Sequence, residues 1–194
     1  MPALTNDIKS KLKARLEIYE GRVNHMYQDS RGFVTIGIGH LISSAQNAEA
    51  LPLRKHNGSV ASSNEKRAEY DKIKSLPHGN RQATYYRQYT SLILSDSEID
   101  RLVILHIGTF HRELRRLFDD FDTYPEEVQL GLFDMIFNLG MTRLRNIFRN
   151  FSSAVIDQDW RTAAEESYRR DVNKARNDYV KNLFIKAAET AETE

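Results

Sequence analysis

The sequence predicts an α+β protein: a small N-terminal lobe with a β-hairpin or small sheet, a long helix, and a larger helical C-terminal lobe. Three observations predict it. Met26 to Ile38 concentrates strand-forming residues around a turn at Ser30-Arg31-Gly32. Apolar residues at Ile99, Leu102, Ile107, Phe110, Leu114 and Leu117 line one face of a long helix. Val128 to Phe137 is apolar nearly all round, as a central bundle helix must be.

Taken in order, the first element is a helix over residues 5–20, with Ile8, Leu12, Leu16 and Tyr19 at helical spacing and Thr5 or Asn6 as its cap. Gly21 follows Glu20 in the place of a helix-ending glycine. The hairpin comes next. Residues 42–93 then turn polar, carry Pro52, Gly58, Pro77 and Gly79, and hold one charged helix near residues 64–76. Ser95-Asp96-Ser97-Glu98 fits a capping box for the long helix, and Thr123-Tyr124-Pro125-Glu126 suggests a second start of the same kind. The apolar helix ends at Gly140, shorter helices follow near 143–155 and 159–170, and a last one begins near Asn173. The expected organisation is one domain over 1–194: a lobe of 1–94 that includes 42–93, a connecting helix over 95–118, and a helical lobe over 119–194.

Composition bounds the function. With 194 residues, 40% hydrophobic and 28% charged, the chain has the makings of a core and an ordinary globular surface. Its formal charge of +1 supplies no overall field towards nucleic acid or membrane. No cysteine is present, so disulfides and thiolate chemistry are excluded. No apolar run approaches the ~18 residues of a membrane span, and the first residues do not form a signal peptide. Delivery outside the cytoplasm would then need another agent.

The chemistry gathers where the first helix meets the hairpin. Glu20 ends a helix, where the dipole disfavours negative charge and favours a retained proton, as a general acid requires. Asp29, nine residues on at the turn, is placed for solvent to keep it ionised. Two carboxyls in unlike surroundings are the acid and base of glycoside hydrolysis. In FVTIGIGH, alternation puts Phe33, Thr35, Gly37 and Gly39 on one face and Val34, Ile36 and Ile38 on the other. The first face reads as room for a bulky ligand, with Thr35 holding a water between that ligand and Asp29.

The block Leu16 to Leu41, containing Glu20, Asp29, Thr35 and the run TIGIGHL, resembles the active-site segment of phage T4-type lysozymes, glycoside hydrolase family 24. FDMIFNLG at 133–140, Trp160-Arg161-Thr162-Ala163-Ala164 and ARNDYVKNLF at 175–184 continue the resemblance in the same order. It covers most of the chain except 42–93, where this protein is longer. The resemblance implies a lysozyme-like fold and a muramidase that cleaves the β-1,4 bond between N-acetylmuramic acid and N-acetylglucosamine. Glu20 would protonate the glycosidic oxygen, Asp29 activate water, and Thr35 orient it. Inversion at the anomeric carbon, the family's outcome, needs the carboxyls roughly 6.5–9.5 Å apart.

By the same resemblance, Arg176 would pair with Glu20, which acts against the dipole; His40 would serve a structural ion pair; and Leu41, Phe137 and Asn138 would line the saccharide cleft. Phe137 is equally readable as core. Phe151 and Glu166 depart from the small or amide groups that relatives carry along the cleft. No cofactor and no metal are expected: His106 and His111 are five apart, off the spacing that aims two ligands at one ion.

The partner implied is the glycan strand of peptidoglycan, reached by a monomer without membrane insertion. Two settings fit: a phage or prophage endolysin released through a holin, or an antibacterial effector such as a type VI secretion cargo with a cognate immunity protein. The segments NLGMTRLRN and RNDYVKNLF lean to the effector. Both place manufacture in the cytoplasm and action on the periplasmic cell wall. The rival function is an inactive saccharide-binding or structural domain with the same fold. Ten Lys/Arg against six Asp/Glu between Thr142 and Lys186 suggest a basic face; without a groove-reading motif, nucleic acid is not the expected partner. Tyr85, Tyr86 and Tyr89 are readable as sugar-stacking rings or as packing.

Overall fold

A computed structural model describes residues 4–193 and shows a mixed fold of helices and small antiparallel sheets. Helices α1 (Asn6–Glu20), α2 (Ala45–Ala50), α3 (Ser63–Ser75), α4 (Ala83–Tyr86), α5 (Asp96–Leu117), α6 (Glu126–Asn146), α7 (Arg149–Ile156), α8 (Trp160–Glu166) and α9 (Lys174–Ala191) alternate with five strands. Strands β1 (Val23–Gln28), β2 (Val34–Gly37) and β3 (His40–Leu41) form one antiparallel sheet, and β4 (Arg54–Lys55) pairs with β5 (Leu92–Ile93). The chain divides into two compact units, Arg15–Leu105 and the remainder, with both boundaries inside helices, α1 and α5. No described helix is long and apolar enough to cross a membrane.

In the unit of residues 15–105, β2 buries Val34 and Ile36, with Ile38 just beyond it also buried, and Thr35 on the opposite face is nearly as buried. The strand does not run on to His40, however. It stops at Gly37, and residues 38–39 turn the chain into β3. Gly37 and Gly39 hold φ of 70° and 67°, a region that costs an L side chain strain. They serve the turn. A Cβ at Gly37 would touch Ile99 at 3.6 Å, and what the structure corrects is the reading of these glycines as members of one continuous strand face.

Residues 42–93 are ordered and built into the same unit. α3 opens on a reciprocal cap, Glu65 N donating to Ser62 Oγ and Ser62 N to Glu65 Oε2. Its C-terminal end is closed from outside: the buried Gln28 amide donates to the carbonyls of Ile73 (2.7 Å) and Leu76 (2.6 Å). Tyr86 is fully buried with its hydroxyl on Pro77 O, and His25 Nε2 contacts Ala83 O at 3.0 Å. Tyr86 is therefore packing, as one of its two sequence readings had it.

In the other unit, α6 is buried from Val128 to Ile136, with α9 against it. A Cβ on Gly131 would come within 2.7 Å of Phe184 Cε2, so the glycine is what lets the two helices approach. Gly140 breaks the helix with φ 71° and ψ 160°, and a further helical stretch runs to Asn146. The start of α6 differs from expectation. Thr123 Oγ1 donates to Asp120 O, and the capping position falls on Pro125, whose side chain accepts nothing. Phe151, expected along a cleft, is core: it is 1% exposed and packs its ring on Phe184.

Candidate active site at the helix-to-hairpin junction

Thr5 caps α1 through Ile8 N, and Gly21 ends it, its N–H on Glu17 O and its φ at 72°. Glu20 is the last helical residue, half-exposed. The exit of the chain beside it is fixed by Arg22, which is itself 24% exposed. Its guanidinium grips both oxygens of Glu17 (2.8 and 3.1 Å) and reaches Asp100 at 2.7 Å and Asp96 at 3.2 Å. These bonds hold the arginine's proton well above its ordinary range. A planar fork met by three carboxylates sets the direction in which the chain leaves α1.

Asp29 sits where β1 ends, in a turn closed by Gly32 N on Asp29 O. One carboxyl oxygen, Oδ1, accepts from Arg31 N at 2.9 Å and Phe33 N at 2.8 Å, which leaves Oδ2 for other work. Thr35, 6% exposed, donates its hydroxyl hydrogen to Phe33 O at 3.1 Å. Phe33 O also accepts from Asp29 N. One residue's backbone therefore ties the Asp29 carboxyl and the Thr35 hydroxyl together. The region 42–93 supports this turn: Lys74 Nζ donates to Gly32 O at 2.7 Å, and the His78 ring lies 3.1 Å from where a Gly32 Cβ would stand.

The sheet register gathers more of the site. Tyr27 is directly opposite Thr35, and Thr35 directly opposite Leu41, so the three side chains share one face across β1, β2 and β3. Leu41 is 48% exposed on that face. His40 pairs with Ile36 in the sheet and is half-buried.

Sequence reasoning missed Tyr27. Burial first, then the negative charges of Glu20 and of Asp29, push its phenol up to about 12. Tyr27 is thus close enough to both carboxyls to feel each of them. The signal in the sequence was an aromatic two residues before Asp29, hence on the same strand face. A phenol pushed up keeps its proton in the folded protein while an unfolded chain loses it near its ordinary value of about 10. Stability therefore falls as pH rises from about 10 to about 12, by on the order of 2 kcal/mol from this residue. Denaturant midpoints at about pH 9 and about pH 11.5 are expected to show a smaller alkaline loss for Tyr27→Phe than for the wild type.

The remaining sequence-nominated residues lie in the other compact unit. Phe137 packs edge-on against Phe110 at 5.6 Å, half-exposed, and Asn138 next to it is exposed. Arg176 is 5% exposed and gives its Nε to both oxygens of Asp134, at 3.1 and 3.0 Å. Arg169 donates to the same carboxyl at 2.7 Å. Asp134 was not nominated, although an acid inside FDMIFNLG was the visible signal for a buried cation partner.

Of the basic surplus between Thr142 and Lys186, Arg169 and Arg176 are buried, and Arg161, Lys174 and Lys186 pair with Glu192, Asp178 and Glu127. His111 contacts Asp122 at 2.8 Å, and among the described residues no three acidic, histidine or cysteine side chains form a metal-binding group. No protein-family model matches the chain, and no curated protein matches it either.

Proposed function

We propose that the protein is a lysozyme-like muramidase, hydrolysing the β-1,4 bond between N-acetylmuramic acid and N-acetylglucosamine in peptidoglycan with inversion. The observation that carries this reading is the Phe33 backbone, which locks the Asp29 carboxyl and the Thr35 hydroxyl into one unit. The hydroxyl has already given its hydrogen to a carbonyl, so towards a water it can only accept. A water donating one hydrogen to Thr35 Oγ1 and the other to Asp29 Oδ2 turns a lone pair outward. Attack of that lone pair forms the new bond at the anomeric carbon while the glycosidic bond breaks. Asp29 takes the water's proton and Glu20 gives its own to the departing sugar oxygen. Both carboxyls act on the phenol of Tyr27, which stands opposite Thr35 in the sheet. Leu41 supplies apolar surface on the same sheet face.

The enzyme would act on the cell wall in the periplasm, as an antibacterial effector domain or an endolysin, with an immunity protein as a further partner in the first setting. The test is digestion of purified murein followed by identification of the new chain ends. Release of N-acetylmuramic acid reducing ends, initially as the α-anomer, is expected. Binding to murein without new ends would leave a saccharide-binding domain instead.

A further inference from the structure

We infer that the wall formed by α3 and residues 88–91 is a second, non-catalytic saccharide subsite, centred on Glu69 and Tyr89; its ligand class rests on the muramidase reading. Glu69 is 6% exposed on α3. Its Oε2 accepts from Ser91 N (2.7 Å), Ser91 Oγ (2.9 Å) and Leu92 N (3.1 Å). Oε1 is equally buried and accepts no hydrogen bond from the protein. A buried carboxyl oxygen without a donor is costly, and proteins rarely keep one that has no use. Glu69 lines an open cavity of about 460 Å³, which it shares with Lys72, Gln88, Tyr89 and Ser91. That volume falls among ordinary small-ligand sites, about 300–1,000 Å³.

The groups around the cavity select the ligand. Gln88 has its amide nitrogen on Tyr85 O, which leaves its oxygen to accept. The Gln88 oxygen, and Glu69 Oε1 once its carboxyl turns towards the cavity it borders, want a ligand rich in O–H and N–H donors. Tyr89 offers a ring, held against Tyr85 at 5.5 Å and carrying the Lys72 ammonium 5.8 Å from its centroid. The Lys72 charge disfavours a cation, and the carboxyls of Glu65 and Glu69 disfavour an anion. A neutral N-acetylhexosamine unit, with hydroxyls, an amide N–H and an apolar ring face, meets all of these demands. Burial pushes the Glu69 carboxyl up against the pull of Ser91, Leu92 and Lys72, and a hydroxylated ligand suits it in either protonation state. The same α3 braces the Asp29 turn through Lys74 and Gln28, so a strand held here is held by the unit that carries the two carboxyls.

The experiment titrates the full-length Glu20→Gln protein with the β-1,4-linked tetramer of N-acetylglucosamine and follows backbone amides by NMR. Ser91 and Leu92, which donate to Glu69, are expected to shift and saturate. Adding Glu69→Gln should weaken that saturation about tenfold. Adding Tyr89→Ala, which leaves the bonds to Glu69 in place, should weaken it about fivefold. Shifts confined to residues 20–41 overturn the subsite, as do shifts of Ser91 and Leu92 with free diaminopimelate but not with the tetramer. Murein digestion by the wild type is scored separately. Digestion with silent Ser91 and Leu92 signals removes only the subsite, and saturating signals without digestion remove only the catalytic reading.

Discussion

Glu20→Gln is expected to lower murein digestion by a factor of about 10²–10⁴ while leaving the chain folded. Glutamine keeps the shape and the hydrogen-bonding reach of the side chain but has no proton to give a leaving oxygen. The residue ends α1 beside a glycine at positive φ and an arginine bound to three carboxyls, which set the exit of the chain through other side chains. A built-in control separates chemistry from misfolding. Tyr27 is pushed up partly by Glu20, so its titration midpoint should fall in the variant yet stay above that of a free phenol, because burial, the larger cause, persists. Digestion at wild-type rate with the expected Tyr27 shift would remove Glu20 from the mechanism.

The second large effect is on stability. Asp134 is 4% exposed in α6 and takes Arg169 from the turn after α8 and Arg176 from α9. Asn177 completes the arrangement, its Oδ1 accepting from Arg169 N and its Nδ2 donating to Arg169 O. Removing the carboxyl by Asp134→Ala takes from two buried guanidinium groups the anion they share, a change that typically costs about 3–5 kcal/mol. For a chain of this size the corresponding loss in Tm is about 10 °C. Asp134→Asn should cost less, since an amide oxygen still accepts. A calorimetric scan showing Asp134→Ala within about 2 °C of the wild type would show that the two arginines do not depend on this carboxyl.

Much of the fold was legible because it is written in local pattern. The helix ending at Glu20, the turn around Gly32, the long helix after Ser95 and the break at Gly140 each follow from spacing and a single punctuating residue. What was not legible depends on partners distant in sequence. Nothing in the run around Gln28 says that its amide closes a helix 45 residues later, yet that bond makes the region 42–93 part of the hairpin's support. The strand through FVTIGIGH was read as continuous because alternation cannot distinguish a glycine that clears space from one that turns the chain; only φ does. The carboxyls and Thr35 were legible as candidates from their order, while Tyr27 became visible only once the register set it opposite Thr35. For Arg176's bond to Asp134 the only signal was an acid inside an apolar helix, which does not say which cation meets it.

In the proposed muramidase mechanism, the main chain at Phe33 would act like a fixed jig for the half of the reaction that handles solvent. Its N–H and C=O, not its ring, set the distance between the Asp29 carboxyl and the Thr35 hydroxyl. The ring itself stands 41% exposed, touched by the cationic heads of Arg31 and Lys74. Position 33 is therefore open to almost any substituent that retains an amide hydrogen, and proline alone is barred outright. If glycans are the substrate proposed above, position 33 is a doorway whose side chain can be exchanged without disturbing the backbone bonds behind it.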